Sequence, residues 1–300
     1  MIHINVETVA PTRCATGENP LWHADEQLLY WTDIPSGRLY RFDPATNHHD
    51  MCYEDRPVGG FTLQTDGALL LFRDRGNVVR FHHGHITDTI IESIPELEET
   101  RFNDVIADPY GRVFAGTMSW GEGTNGRLYR IDLDGSWHLV ADGYGTPNGM
   151  GFSADEQTMF FTDSRAARIY RFAYDRTSGK IDRRTLFSQT NATDAATLGR
   201  SDGMTVDSED HIWSARWGGG RIVRYNPQGR ITEQIPMPAR KISSVVFGGK
   251  DLCDLYATSA AGMDHDPDDP QAGALFRLRP GAKGRAEYRS RICIPPNIFV

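Results

Sequence analysis

The sequence predicts an all-β fold, a six-bladed β-propeller with a central channel, and three observations predict it. A phrase of alternating apolar and polar residues behind a turn residue occurs six times: GRLYRFDP from Gly37, GNVVRFHH from Gly76, GRLYRIDL from Gly126, ARIYRFAY from Ala167, GRIVRYNP from Gly220 and GALFRLRP from Gly273. The copies are spaced by roughly 40–55 residues, near the length of a four-stranded propeller blade. No long stretch carries a 3.6-residue period, whereas period-two alternation bounded by Gly, Asp and Asn runs throughout. A solenoid would use shorter repeats of even length, and a sandwich has no reason to repeat one phrase six times.

Each unit reads as three strands with room for a fourth. Ahead of the repeated phrase stands a second run, in order LLYWTD, ALLLFRD, RVFAGTM, TMFFTDS, HIWSAR and DLYATSA. Most of these follow a turn such as HADEQ, QTDGA, DPYGR, SADEQ or DSEDH. Ahead of the turn is a short apolar stretch: NPLW, GFTL, NDVIAD, NGMGFS, DGMTVD and SSVVFG. That stretch is the expected inner strand lining the channel, and the linking segment supplies the outer one. HINVETV and AEYRSRICI lie at opposite ends of the chain and are both expected to pair into the last blade, which leaves no open sheet edge. Residues 1–300 are expected to form a single propeller domain.

The bulk properties narrow the function classes. A net charge of −8 argues against a nucleic-acid partner, whose binding surfaces are usually basic. Cys14, Cys52, Cys253 and Cys293 are far apart with no C-x-x-C, so they read as thiols of a reducing compartment. The opening MIHINVETVAP has no basic start and no apolar core of a signal peptide. No window approaches the ~18 apolar residues of a membrane span. The expectation is a cytoplasmic monomer with no membrane partner.

Aligning the repeats places one residue of each unit at a mouth of the channel, just ahead of the inner strand. These are Glu18, the pair Gly59 and Gly60, Asn103, Asn148, Asp202, and the pair Ser243 and Ser244. Four of the six units thus offer a carboxylate or amide oxygen. A ring of such donors suits a hard dication such as calcium, magnesium or manganese, and Glu18 with Asp202 would balance its charge. Asn-Gly at 148–149 and Asp-Gly at 202–203 are also common turn dipeptides. On the residues alone both readings stay open, although a turn does not require the polar residues to fall in register. The same frame explains why TRFNDVIADPYGRVFAGTM, residues 100–118, puts an arginine and an amide before an apolar run. Arg101 and Asn103 are expected at the channel mouth.

Several of these motifs resemble one family. GENPLW, RFNDVIADPYGRVFAGTM, NGMGFSADEQTMFFTDS, SDGMTVDSEDHIWSARWGGGRIVRYNPQG and VVFGGKDLCDLYATSA are similar, in order and over nearly the whole chain, to motifs of the SMP-30/gluconolactonase/regucalcin-like lactonases. The resemblance implies a six-bladed propeller holding one divalent cation, whether calcium, magnesium, manganese, zinc or iron. It implies Glu18, Asn148 and Asp202 as metal ligands and Asp202 as general base. It implies Arg101 and Asn103 as substrate-binding residues, with Glu122 of GTMSWGEGTNG as a further one. The implied reaction opens a sugar lactone, a small-molecule partner, to its aldonic acid. Such a site polarises the ester carbonyl, and a carboxylate beside it takes a proton from water. The competing readings are a divalent-metal-dependent esterase or organophosphatase-like propeller and a non-enzymatic calcium-binding propeller. No G-x-S-x-G is present for a serine hydrolase. His82, His83 and His85 of HHGH read as a solvated outer turn, and the aspartates of MDHDPDDPQAG as an acidic surface loop.

Overall fold

The computed structural model describes residues 4–119, 126–264 and 266–293. Among the described residues the strands form six four-stranded antiparallel sheets. The innermost strands of five blades are Gly17–His23, Val58–Leu63, Thr100–Ala107, Pro147–Phe152 and Arg200–Val206, each followed in sequence by the other three strands of its sheet. The sixth blade starts at Ile242–Gly248, continues through Asp254–Ser259 and Leu275–Leu278, and is completed by Val6–Ala10 from the other end of the chain.

The repeated phrase is the third strand of each sheet. Its leading glycines turn the chain with positive φ, +65° at Gly37, +72° at Gly76, +57° at Gly220 and +80° at Gly273. Ala167 holds the same conformation at 52° in the fourth copy. The aspartates of the D-x-x-G turns have a bracing role. Asp108 Oδ1 accepts the amide N–H of Tyr110, Gly111 and Arg112 at 2.8–2.9 Å, while its Oδ2 accepts Arg112 Nε at 2.6 Å and the Tyr174 hydroxyl at 2.7 Å. Asp108 thereby folds its turn and ties the third blade to the fourth.

Six apolar clusters hold the ring, each filling the cleft between neighbouring blades. Phe114 and Leu128 of the third blade meet Phe152 and Phe161 of the fourth, and Trp22 and Trp31 of the first meet Val246 and Tyr256 of the sixth. Each buried aromatic or branched side chain contributes about 1.5–3 kcal/mol. The packing energy of the fold therefore lies in the clefts, and polar groups are gathered at the ring positions of the inner strands.

The C-terminal segment departs from expectation. It does not join the last blade, whose edge is already occupied by Val6–Ala10. Instead residues 283–293 cross the lower face and touch every blade. Lys283 O accepts from Ser208 N at 2.9 Å and Gly284 N donates to Leu252 O at 2.8 Å. The Tyr288 hydroxyl donates to Glu156 at 3.1 Å, and Arg289 pairs with Asp25 at 2.7 Å. Ser290 N donates to Leu63 O at 2.8 Å, Arg291 N to Gly111 O at 2.7 Å and Cys293 N to Leu133 O at 2.6 Å. The polar alternation that suggests a strand in AEYRSRICI comes from this crossing, in which successive residues bond to different blades.

Candidate functional site

All six inner strands carry a break in register, and each break falls at the expected ring position. The breaks lie between Glu18 and Leu21, Val58 and Gly60, Phe102 and Val105, Asn148 and Met150, Ser201 and Met204, and Ile242 and Ser244. A bulge leaves a residue unpaired and re-aims its side chain. The polar residues therefore stand inside the inner strands rather than ahead of them, and the Asn-Gly and Asp-Gly dipeptides serve bulges rather than turns. Consecutive residues are sent to different halves of the channel. Glu18 and Asn103 line an upper cavity of about 270 Å³, while their successors Asn19 and Asp104 line a lower one of about 320 Å³.

The upper cavity collects five of the six candidate residues. Glu18, Arg101, Asn103, Asn148 and Asp202, from four blades, all line it, and each is only 4–9 % exposed. Glu122 lies outside the described residues. Asn148 Nδ2 donates to Asp202 Oδ1, Asn148 Oδ1 accepts Gly149 N at 3.1 Å, and Ser164 Oγ reaches Asp202 at 3.5 Å. Among the described residues, Glu18 Oε2 accepts only the amide of Asn19, at 3.3 Å. Arg101 Nη1 donates to Asn103 Oδ1 at 2.8 Å and to Phe102 O at 2.9 Å, and Asn103 Nδ2 donates to Pro147 O at 2.8 Å. Arg101 is thus set in a fixed direction by Asn103, which is itself tied to the next blade.

The remaining two ring positions serve packing. A Cβ on Gly59 would stand 1.9 Å from Phe102 O, so only glycine lets the second blade approach the strand that carries Arg101 and Asn103. Ser243 turns its hydroxyl to Gly17 O and Thr258 Oγ1, closing the joint between the sixth and first blades.

The electrostatics of the floor follow from burial. Glu18 is pushed well above the usual carboxylate range by loss of water, and then by the charges of Asp202 and Asp104. Asp202 is raised likewise, by burial first and Asp104 second. Burial lowers the Arg101 guanidinium to about 10, against the pull of Glu18 and Asp202. Two buried carboxylates that repel each other beside a single guanidinium form an environment that a further positive charge would relieve. The available donors are carboxylate and amide oxygens, a hard set. Among the described residues no group of three His, Cys, Asp or Glu could hold a metal, so a cation here would need the Asn148 amide oxygen as third donor.

The cavity wall contains residues that repeat alignment did not single out. Thr16, Met118, Thr146, Arg165, Arg200 and Trp217 complete it. Thr16, Thr146 and Arg200 each stand two residues ahead of their ring residue, as Arg101 does, and Met118 and Trp217 are the strand partners of Arg101 and Arg200, so the repeat frame extended by two positions would have found them; only Arg165, on a turn, has no such signal. The acidic loop lies elsewhere: Asp266 pairs with Arg240 at 3.0 Å, and Asp269 Oδ2 accepts Arg240 N at 2.9 Å. In HHGH the His82 and His83 rings stack with centroids 3.8 Å apart on the outer side of the second blade.

Comparison with known proteins accords with this architecture. Residues 16–261 match the model of the SMP-30/gluconolactonase/LRE-like region. The chain belongs to this family. Among SMP-30/gluconolactonase/LRE-like relatives, pentonolactonase XacC of Haloferax volcanii is 46 % identical over 96 % of this chain and 99 % of its own length. The 6-deoxy-6-sulfogluconolactonase of Pseudomonas putida is 33 % identical over 90 % of this chain and 93 % of its own. Among solved structures, a calcium-binding regucalcin from Agrobacterium tumefaciens superimposes with a TM-score of 0.88 at 26 % identity, covering 96 % of this chain and 98 % of that one.

Proposed function

We propose that this chain opens the ring ester of a sugar lactone to the aldonic acid in the upper cavity, with a divalent cation held by Glu18, Asn148 and Asp202. The observation that carries the reading is the convergence of these three oxygen-bearing side chains, from three blades, on the cavity that also holds Arg101 and Asn103. The lactonase names of the pentonolactone and sulfogluconolactone relatives support the reaction class. When bound, the ion supplies Lewis acidity for the ester carbonyl and lowers the pKa of water.

The chain's own residues do the rest. Asp202 accepts the proton of the attacking water, a role that needs its carboxylate ionised. Positive charge beside it opposes the burial that would keep it protonated. Arg101 offers N–H donors to lactone oxygens and to the negative charge that grows as the ring opens. Asn103 spends its carbonyl on Arg101 and one N–H on Pro147 O, so its main role is to aim Arg101, with one N–H left for a sugar hydroxyl. The test is hydrolysis of a panel of aldonolactones after chelation and after return of calcium, magnesium or manganese. Turnover that is lost on chelation and restored by one of the ions is expected. A panel on which no lactone is hydrolysed with any ion would overturn the reading.

A further inference from the structure

The rim of the upper cavity carries more positive charge than a neutral lactone needs. Arg165 stands on the turn between strands Thr158–Asp163 and Arg168–Asp175 of the fourth blade, and Arg200 begins the inner strand of the fifth. Both line the cavity. Elsewhere the protein pairs its arginines with carboxylates, as in Arg41 with Asp50 at 2.9 Å, Arg112 with Asp108 at 2.6 Å and Arg224 with Asp207 at 3.0 Å. Arg165 and Arg200 enter no such ion pair or side-chain hydrogen bond among the described residues. The stem of Arg165 is nevertheless held. A Cβ on Gly145 would lie 2.5 Å from its Cβ and 2.9 Å from its Cδ, so it rests on that glycine with its head group free.

The surroundings reinforce the charge. Arg200 faces Trp217 across the strand pair, and Lys241 Nζ lies 5.5 Å from the centre of the Trp217 ring. Arg216, fully buried beneath them, bonds Ser201 Oγ at 2.7 Å and Thr190 Oγ1 at 3.2 Å and has no carboxylate partner. Asp163 is the nearby acid on the fourth blade, and its oxygens are taken by the amides of Gly145, Thr146 and Ala166 at 3.1–3.3 Å. Glu18, Asp202 and Arg101 are buried in the cavity, whereas Arg165 and Arg200 line it as exposed residues. A dication on the floor would balance the two carboxylates and leave the charges of Arg165 and Arg200 uncompensated. This positive end belongs to a chain whose overall charge is −8.

Resting on the lactonase reading, we propose that Arg165 and Arg200 are specificity residues for a second, anionic group on the substrate. The lactone carries a carboxylate, sulfonate or phosphate on the part of its carbon chain remote from the ring ester. Guanidinium forks bind such groups through paired N–H donors, and that recognition is stronger than any a hydroxyl can offer. The reaction class that supplies the substrate is then oxidation of an acidic sugar at its anomeric carbon, and the product is an aldonic acid with a second acid group.

The experiment uses matched pairs. Kinetics compare glucaro-1,4-lactone with glucono-1,4-lactone, which differ only in a terminal carboxylate, and with a pentono-1,4-lactone. Titration calorimetry compares glucarate and 6-phosphogluconate with gluconate, none of which can be hydrolysed. We expect the acidic lactone to exceed its neutral congener at least tenfold in kcat/KM, mainly through KM, with a preference that weakens as salt rises. We expect the doubly anionic acids to bind at least tenfold more tightly than gluconate, and the stronger of the two identifies carboxylate or phosphate as the group read. In Arg165→Gln and Arg200→Gln both ratios should fall toward one, and the lysine variants should restore part of them. Equal binding of gluconate, glucarate and 6-phosphogluconate, a pentonolactone preferred over the acidic lactone, or ratios unchanged in the double glutamine variant would each overturn the proposal. A binding preference without hydrolysis of any lactone would sink the lactonase reading and leave the anion site standing. Hydrolysis without any preference would do the reverse.

Discussion

The two halves of the channel are built from the same six strands and differ in almost everything else. The upper half has a floor of two carboxylates and an amide, with Arg165 and Arg200 at its rim. The lower half is covered by residues 285–288 of the crossing segment, lined largely by apolar side chains such as Val105, Met150, Met204 and Val246, and holds Asp104 and Glu287. Enclosure raises Asp104 to about 7, with the Glu287 charge adding to it, and raises Glu287 to about 7 against the pull of Arg285. Both halves concentrate acid. The lower half also has an amide and a guanidinium beside its acids, Asn19 and Arg285, but Arg285 and Glu287 both come from the segment that covers it. In the upper half the inner strands of four blades supply the buried carboxylates, amides and Arg101. The difference teaches that buried acids with counter-charge can belong to a cover as well as to a cavity, and that the origin of the groups separates the two halves.

Four perturbations break or sharpen that contrast, from the largest effect to the smallest. Asp202→Ala should abolish lactone turnover, by at least about a thousandfold, if Asp202 is both the base and an ion ligand as proposed. Steady-state assays across added divalent ions check this, and near-native turnover would remove Asp202 from both roles. Gly59→Ala should destabilise the fold by about 3 kcal/mol or more, because its methyl group meets the Phe102 carbonyl and no side chain can yield there. It should also lower activity in whatever protein remains folded, by shifting Arg101 and Asn103. Denaturant melts paired with kinetics would show both losses.

Lower-half acids give a pH-dependent prediction. Asp104 and Glu287 have folded-state pKa values near 7, above the ordinary 3.8 and 4.5. Their ionisation therefore opposes folding, and stability falls as pH rises from about 4 to about 7. Asp104→Asn or Glu287→Gln should raise Tm by about 2–6 °C at pH 8 and change it little at pH 4. Equal shifts at both pH values would mean that these groups are not enclosed as acids. Last, Ser290→Ala removes a hydroxyl that bonds Thr62 Oγ1 at 2.9 Å and Leu63 O at 3.2 Å under the channel. About 1–2 kcal/mol of stability should be lost with unchanged kcat, because the cost stays in the cover of the lower half.

Much of this was legible before any coordinates. The six blades could be read because one alternating phrase is reused, and because the glycine in front of four copies takes a positive φ in each. Glu18, Asn103, Asn148 and Asp202 could be found because repeats put equivalent positions in one ring. The bulges could not be read, since the dipeptides that serve them are those that serve turns. Arg200 and Trp217 were within reach of the same frame, since Arg200 stands two residues before Asp202 as Arg101 does before Asn103, whereas Arg165 was hidden on a turn outside the repeated strands. The path of residues 283–293 was illegible for a related reason. It is held by scattered bonds to all six blades, several of them to the second, and pairing of that kind leaves no period in the sequence.

The bulge shared by all six inner strands has a consequence for how such a molecule can change over time. Two adjacent codons supply two separate rooms, so a substitution at Asn103 and one at its neighbour Asp104 are felt in different places although they are one peptide bond apart. Losing a single residue at this point would instead trade the occupants of the two rooms. The lining of one room can therefore drift by point changes while the other keeps its own, whereas insertions and deletions there are confined to chains that rebuild both at once.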